Sequence, residues 1–263
     1  MPPSVAAGLR ITALVSVGKH PSSGRARRAD QDARAVEMGL ELSPQGLEVV
    51  HAGDAQEAIL RDYAGMGLNS VKVIQQPVEA DVVPALSEYL SADLPDIVLT
   101  GVRSESGESS GMMAYLLGEK LGLPVVTRVA EICSISGGRA EVLQALPRGQ
   151  RRALRVALPF IASVDTAATP ARQSAYGPAM RAQLEAENRG IEIVDAVRVN
   201  WTESPARKRP KRLKVVKAKS AADRFRAATA KATGEGGSVM RNETAAEKAQ
   251  AIFNLLVEEG VLR

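Results

Sequence analysis

The sequence predicts an α/β protein with a doubly wound, mostly parallel β-sheet, followed by a C-terminal extended arm and helix. Short apolar runs rich in β-branched residues alternate with segments of helical periodicity between residues 11 and 132. The connections are short, as in βαβ units, whose strands run parallel and carry helices on both faces. A chain of 263 residues with 45% hydrophobic residues can bury a core of this size.

The elements of the alternating region follow the apolar pattern in order. Strands are expected at residues 11–17, 47–51, 71–74, 97–100 and 125–132, and helices at residues 30–42, 54–66, 81–92 and 112–121. Asp54 is placed to cap the second helix, and Gly67 and Gly122 are placed to end the second and fourth helices.

The pattern changes after residue 132. A Ser-Gly-Gly-Arg turn at residues 136–139 predicts an antiparallel hairpin. Residues 151–157 alternate between charged and apolar, as an exposed edge strand does, and residues 158–164 return to the core. A helix-prone tract at residues 179–187 and a short strand at 191–197 follow. We therefore expect an α/β domain at residues 1–199, a basic arm at 200–240 and a C-terminal docking helix at 241–263, opened by a capping box at Thr244 and Glu247.

The basic arm carries most of the positive charge. Eight Lys and Arg residues and no acidic residue lie between Pro205 and Lys219, so the net charge of +4 becomes −4 without them. Contact with a partner subunit is the preferred interpretation, ahead of a solvated tail. Nucleic-acid binding ranks last, since only 3% of the residues are aromatic.

Composition also limits the chemistry. Cys133 is the single cysteine, which excludes an intrachain disulfide or a thiolate metal cluster and favours a cytoplasmic location. His20 and His51 each adjoin a predicted strand end and are expected at the surface or in loops. No metal site, signal peptide or membrane insertion is expected, because ligand clusters and long apolar runs are missing from the sequence.

The candidate site is the stretch DIVLTGVRSESGESSGMMAYLLGEKLGLP at residues 96–124. A strand ends at Gly101, a serine loop (residues 101–111) follows, and a helix begins near Met112. Backbone N–H groups at such a helix start bind phosphate, serine hydroxyls bind phosphate or ribose, and open α/β sheets take ligands at this edge. A serine-capped turn gives the same pattern. Met112 and Met113 are expected in the core.

Five tracts in this order resemble the beta subunit of the electron transfer flavoproteins. They are ARAVEMGLEL, VVHAGDAQEAILRDYAGMGLNSVKVI, DIVLTG…SSGMMAYLLGEKLGLPVVTRVAEI, TPARQSAYGPAMRAQ and NETAAEKAQAIFNLLVEEGVL. The resemblance implies an electron carrier with no bond-making residues of its own, which pairs with an alpha subunit that holds most of the FAD. It implies AMP or a second FAD in this chain, and transient contacts with flavin dehydrogenases and a quinone reductase or similar acceptor.

The resemblance also implies a set of nucleotide-binding positions. They are Ser16, Ala29, Asp30, Gln31, Asp32, Ala52, Gly101, Val102, Arg103, Ser104, Glu105, Ser106, Gly107, Glu108, Ser109 and Ser110. A docking loop for dehydrogenases maps to residues 175–178. Ala29 and Asp30 replace the Asn-Pro of the family, and Asp30 and Asp32 add negative charge that nearby arginines would have to offset.

One alternative from another class stays open at this point. The same fold could serve as a stand-alone adenine-nucleotide-binding module that works without a partner chain. Binding of adenine nucleotides to the lone chain would favour the module, and capture of a flavin-carrying partner would favour the electron carrier.

Overall fold

The structure is a computed structural model of the chain, and it describes residues 8–190, 192–202, 204, 220–222, 225 and 240–258. Two compact units are present, Met1–Asn200 and Trp201–Arg263. The basic run at residues 205–219 lies outside the described residues, so the interpretation of the arm stays a prediction.

The first unit contains eleven strands and five helices among its described residues. The strands are β1 (Ile11–Leu14), β2 (Val17–Lys19), β3 (Ala26–Arg28), β4 (Leu47–Gly53), β5 (Ser70–Gln75), β6 (Ile97–Gly101), β7 (Val125–Ser136), β8 (Arg139–Ala145), β9 (Arg151–Ala157), β10 (Phe160–Val164) and β11 (Gln183–Glu187). The helices are α1 (Asp30–Leu42), α2 (Leu60–Ala64), α3 (Val82–Ala92), α4 (Met113–Leu121) and α5 (Tyr176–Arg181).

Nine of the strands form one sheet in the order β11-β5-β4-β1-β6-β10-β7-β8-β9. All neighbours from β11 to β7 run parallel, and the pairs β7–β8 and β8–β9 are antiparallel. Strands β2 and β3 form a separate antiparallel hairpin. The predicted doubly wound, mostly parallel sheet and its antiparallel edge are therefore confirmed.

Helices cover the parallel part of the sheet on both faces. In β10, Phe160 and Ala162 belong to the core cluster that includes α1, whereas Ile161 belongs to the cluster that includes α3 and α4. Alternate residues of a strand point to opposite faces, so both sets are buried here. This double coverage explains why the central strands are continuous apolar runs in the sequence.

Three predicted elements are wrong, and local or tertiary hydrogen bonds explain each. The expected helix at 54–66 shrinks to α2, because the Asp54 carboxylate accepts a hydrogen bond from the Gln56 N–H at 2.9 Å and holds a turn. The helix-prone tract at 179–187 divides into α5 and β11, which pairs with β5 at the sheet edge. In the expected strand at 191–197, the described residues form a single bridge, between Val194 and Ala80.

The second unit contains helix α6 (Ala245–Glu258). Its capping box is confirmed. The Thr244 N–H donates to Glu247 at 2.8 Å, and the Glu247 N–H donates to the Thr244 hydroxyl at 3.4 Å. None of the helix residues is buried, so its apolar residues remain accessible in this chain.

Candidate functional site

A cavity of about 380 Å³ opens at the carboxyl ends of β1, β4 and β6. The serine loop and the first residues of α3 and α4 form its walls. Among the predicted positions, those in the wall are Ser16, Asp32, Ala52, Gly101, Val102, Arg103, Ser104, Gly107, Glu108, Ser109 and Ser110. Ligand binding at these positions stays a prediction, but the fold does bring them together from four separate parts of the chain.

Asp32 forms the polar floor of the cavity. One carboxylate oxygen accepts from the Ser16 N–H at 2.8 Å and from the Ser16 hydroxyl at 2.5 Å, and the other accepts from the Gly101 N–H at 3.2 Å. Burial raises the pKa of Asp32 from 3.8 to about 6, although these hydrogen bonds oppose the rise. A Cβ at Gly101 would lie 2.3 Å from the same carboxylate, so only glycine permits this approach.

The serine loop is shaped mainly by its own hydroxyl groups. Ser104 donates to the Ser106 carbonyl at 2.8 Å, and Ser109 donates to the Ser104 carbonyl at 2.6 Å. Ser109 adopts a left-handed backbone with φ 54°, which these bonds help to hold. The Ser110 hydroxyl accepts from the Met112 N–H at 3.3 Å. Ser110 and the start of α4 are therefore the parts of the loop best placed to meet an anion.

Five predicted residues lie outside the cavity wall: Ala29, Asp30, Gln31, Glu105 and Ser106. All of them except Ala29, whose N–H donates to the Tyr63 hydroxyl, take part in hydrogen bonds that join the serine loop to β2, β3 or the start of α1. Glu105 accepts two hydrogen bonds from Arg27, both at 2.8 Å, and a third from the Asp30 N–H at 3.0 Å. Gln31 accepts from the Arg103 N–H, and Ser106 donates to the Val17 carbonyl. These hydrogen bonds hold the serine loop in place.

Of the two aspartates, Asp30 forms its ion pair with an arginine of α1 and not with an arginine of the loop before it. Asp30 pairs with Arg34 one helical turn away, at 3.0 Å, and does not line the cavity. Arg27 is occupied by Glu105. The remaining carboxylates in the wall are Asp81, Glu108 and Asp195, and its cations are Arg103 and Arg198.

The other side of the cavity is apolar, and sequence reasoning missed it. Its residues are Leu14, Val50, Val82, Val83, Leu86, Met113 and Leu116. The expectation that Met112 and Met113 belong to the core is wrong for Met112, which is 46% exposed, whereas Met113 packs against the core cluster that includes α3 and α4. Both residues also line the cavity. An apolar wall beside a polar floor can hold a flat base on one side and a sugar-phosphate on the other.

His51 also departs from expectation, since it is buried at the cavity rather than exposed. Its Nδ1 lies 2.9 Å from the Val15 carbonyl. Burial lowers the pKa of His51, so the ring is neutral and Nδ1–H donates to that carbonyl.

A second surface lies at the predicted docking loop. Tyr176 is 80% exposed. The chain before it is held by Arg172, whose guanidinium makes three contacts of 2.8–3.0 Å with the buried Glu37 carboxylate. Burial alone would raise the pKa of Glu37, but hydrogen bonds from Arg172 and its positive charge lower it below the ordinary value. The Ala175 N–H donates to the Gly65 carbonyl at 2.9 Å, which fixes the loop to α2.

The fold and the cavity define an α/β protein of the class that takes ligands at the carboxyl edge of a parallel sheet. A family model described as the electron transfer flavoprotein domain matches residues 23–197. The electron transfer flavoprotein subunit beta of Chromohalobacter salexigens is 52% identical over 258 residues, which cover 97% of this chain and 96% of that protein. The chain belongs to the electron transfer flavoprotein beta subunit family, and its role is in electron transfer.

Two further observations bear on how the chain works. No helix in the described part of the chain is long and apolar enough to cross a bilayer. Within the same described residues, His, Cys, Asp and Glu form no group that could hold a metal ion.

Proposed function

We propose that this chain pairs with an alpha subunit and that its cavity binds AMP. The subunit serves as an electron carrier between flavin dehydrogenases and a quinone reductase or similar acceptor. FAD on the alpha subunit would supply the redox chemistry, and this chain would supply binding surfaces and a nucleotide site. The observation that supports the nucleotide part is the cavity itself, where the serine loop and the start of α4 face an apolar wall.

The residues of the cavity fit a mononucleotide. The apolar wall suits an adenine ring, while Ser110, the N–H groups at the start of α4 and the two arginines suit a phosphate. A volume of about 380 Å³ lies near the lower end for ligand cavities, which favours AMP over a second FAD.

The carboxylates of the cavity set limits on where the phosphate lies. Asp32 and Asp81 would repel a phosphate placed beside them, whereas a carboxylate can accept a hydrogen bond from a ribose hydroxyl. The ribose therefore belongs near these side chains and the phosphate near α4.

The docking loop supports contact with partner proteins. Tyr176 is the exposed first residue of α5, and the ion pair between Glu37 and Arg172 holds the chain just before it. An exposed aromatic side chain can bury a large apolar area on binding, and tyrosine is enriched at interface hot spots. The scarcity of cysteine supports a cytoplasmic site of action.

The test is to co-express the full chain with its alpha subunit, purify the complex, denature it and identify the released small molecules by mass spectrometry. We expect FAD and AMP, each at about one per complex. In a S110D variant, the added carboxylate at the start of α4 should repel the phosphate, so AMP should fall well below one while FAD is retained.

A S22D variant is the matched control, because Ser22 is exposed in the turn between β2 and β3. It should keep both molecules. Recovery of the chain alone, without a flavin-carrying partner, would overturn the subunit assignment. A complex that releases FAD but no AMP would leave that assignment in place and overturn the nucleotide proposal.

A further inference from the structure

Residues 192–200, here called the returning segment, contribute to the cavity wall although they lie far from its other residues in the sequence. The returning segment follows β11 and comes back to the start of α3, where Val194 forms an antiparallel bridge with Ala80. The Asp81 N–H donates to the Ile193 carbonyl at 2.7 Å. Ala80 and Asp81 both line the cavity, so these backbone contacts attach the returning segment to its rim.

The returning segment is held in a defined turn. The Asp195 carboxylate accepts from the N–H groups of Val197 at 3.0 Å and Arg198 at 3.1 Å. The Val199 N–H donates to the Asp195 carbonyl at 3.2 Å, and a short 3-10 helix runs from Arg198 to Asn200. Two backbone bonds at the carboxylate fix the direction of the chain at Arg198. This turn places Asp195 and Arg198 in the cavity wall.

Within the described residues, the positive charge of Arg198 is not paired with a carboxylate. Its side chain is exposed, and none of the ion pairs formed between described residues involves its guanidinium. Arg27, Arg34 and Arg172, by contrast, are each paired with a carboxylate. An arginine in a cavity wall without a carboxylate partner among the described residues is suited to bind a phosphate, because its planar guanidinium can form two parallel hydrogen bonds.

The charge balance of the cavity calls for such a cation. Asp81, Glu108 and Asp195 add negative charge to the wall, while Arg103 and Arg198 are its cations. A dianionic phosphate in this surrounding needs compensation from both arginines. Arg103 belongs to the serine loop, so Arg198 is the cation that comes from outside it.

We propose that Arg198 binds the phosphate of the nucleotide and that the bound nucleotide helps to hold the returning segment at the cavity rim. The inference rests on the proposed nucleotide site and adds a recognition residue to it. The nucleotide would then connect the first unit's sheet edge to the last residues before the second unit begins at Trp201.

The test compares two ligands that differ only in the phosphate. The complex of the chain with its alpha subunit, freed of AMP, is titrated with AMP and with adenosine by calorimetry. In R198Q, the affinity for AMP should fall about tenfold or more, since hydrogen bonds between charged groups are lost, while the affinity for adenosine should change less than about twofold. R152Q is the matched control, because Arg152 is an exposed arginine on β9 outside the cavity, and it should alter neither affinity.

The second measurement is hydrogen exchange of a peptide that covers residues 192–200. AMP should slow this exchange in the wild type, and adenosine should slow it less. Equal losses of AMP and adenosine affinity in R198Q, or no loss of either, would overturn the proposal. Absence of protection by AMP would overturn the claim that the nucleotide holds the returning segment. Failure of the wild type to bind AMP would instead refute the nucleotide site on which the inference rests.

Discussion

Replacement of Asp32 by asparagine should change how the stability of the chain depends on pH. The Asp32 carboxyl is buried beneath the cavity, and burial raises its pKa from 3.8 to about 6. Between these two values the folded chain holds a proton at Asp32 that the unfolded chain has released. The folded state therefore binds more protons, and its stability decreases as the pH rises.

The magnitude follows from the two pKa values. Each tenfold change in proton affinity corresponds to about 1.4 kcal/mol, so a pKa that rises from 3.8 to about 6 corresponds to about 3 kcal/mol in total. This stability is fully present below the unfolded pKa and is lost as the pH rises through about 6. About 2 kcal/mol of it falls between about pH 4.5 and pH 7.5.

The assay is urea unfolding of wild type and D32N across this pH range, followed by circular dichroism. Fluorescence is less suitable, because Trp201 is 53% exposed and reports poorly on the core. Relative to D32N, the wild type should lose about 2 kcal/mol of unfolding free energy as the pH rises. The comparison concerns the pH dependence alone, because asparagine also leaves the Gly101 N–H with a poorer partner.

D165N is the control, because the pKa of Asp165 is lowered in the folded chain rather than raised. Burial alone would raise the pKa of Asp165, but hydrogen bonds from Arg128 and from the Ala167 N–H lower it. Asp165 is therefore ionised in both states over this range, and its variant should follow the wild type at a constant offset. If wild type and D32N also differ by a constant offset, Asp32 has an ordinary pKa in the fold and the reasoning fails.

Two further predictions concern the supports of the site. In Y63F the unfolding free energy should fall by about 1–3 kcal/mol, because the buried hydroxyl accepts from the Ala29 N–H at 2.9 Å and donates to the Ser16 carbonyl at 2.8 Å. In E37Q it should fall by about 1–2 kcal/mol, as the charge that holds Arg172 is lost while Arg172 itself is partly solvated. Urea unfolding measures both, and limited proteolysis of E37Q should show faster cleavage in the docking loop.

The controls for these two variants are exposed residues of the same type. Tyr115 and Glu119 both lie on the outer side of α4. Y115F and E119Q should stay within about 0.5 kcal/mol of the wild type. If Y63F is as stable as Y115F, water replaces the lost hydrogen bonds of the hydroxyl. If the docking loop of E37Q is cleaved at the wild-type rate, the ion pair with Arg172 does not anchor that loop.

The sequence predicted the parts of the fold that local patterns determine. Helix α1 begins and ends at the predicted residues, because its apolar face and the flanking turn signals agree. Strand β11 was mistaken for helix, since Gln183, Leu184 and Glu185 have a local preference that pairing with β5 overrides. In such cases the partner strand, which is far away in the sequence, decides the structure.

The sequence predicted the polar side of the candidate site but not its apolar side. The serine and glycine composition of the serine loop is typical of phosphate-binding loops, so the sequence alone predicts this part of the site. Arg198 and Leu86 carry no such local signal, because an exposed arginine and a helical leucine are common everywhere. Their place in the cavity depends on the return of the chain to α3, which only the three-dimensional structure reveals.

The position of β10 has a consequence for synthesis of the chain on the ribosome. In the sheet, β10 lies between β6 and β7. In the sequence it follows both of them, because β8 and β9 come before it. A nascent chain that has emerged only as far as Ala157 therefore has β6 with an open edge of unpaired backbone groups. Unpaired edges can pair with other chains, so a chaperone that shields β6 during this interval would protect the growing polypeptide from aggregation.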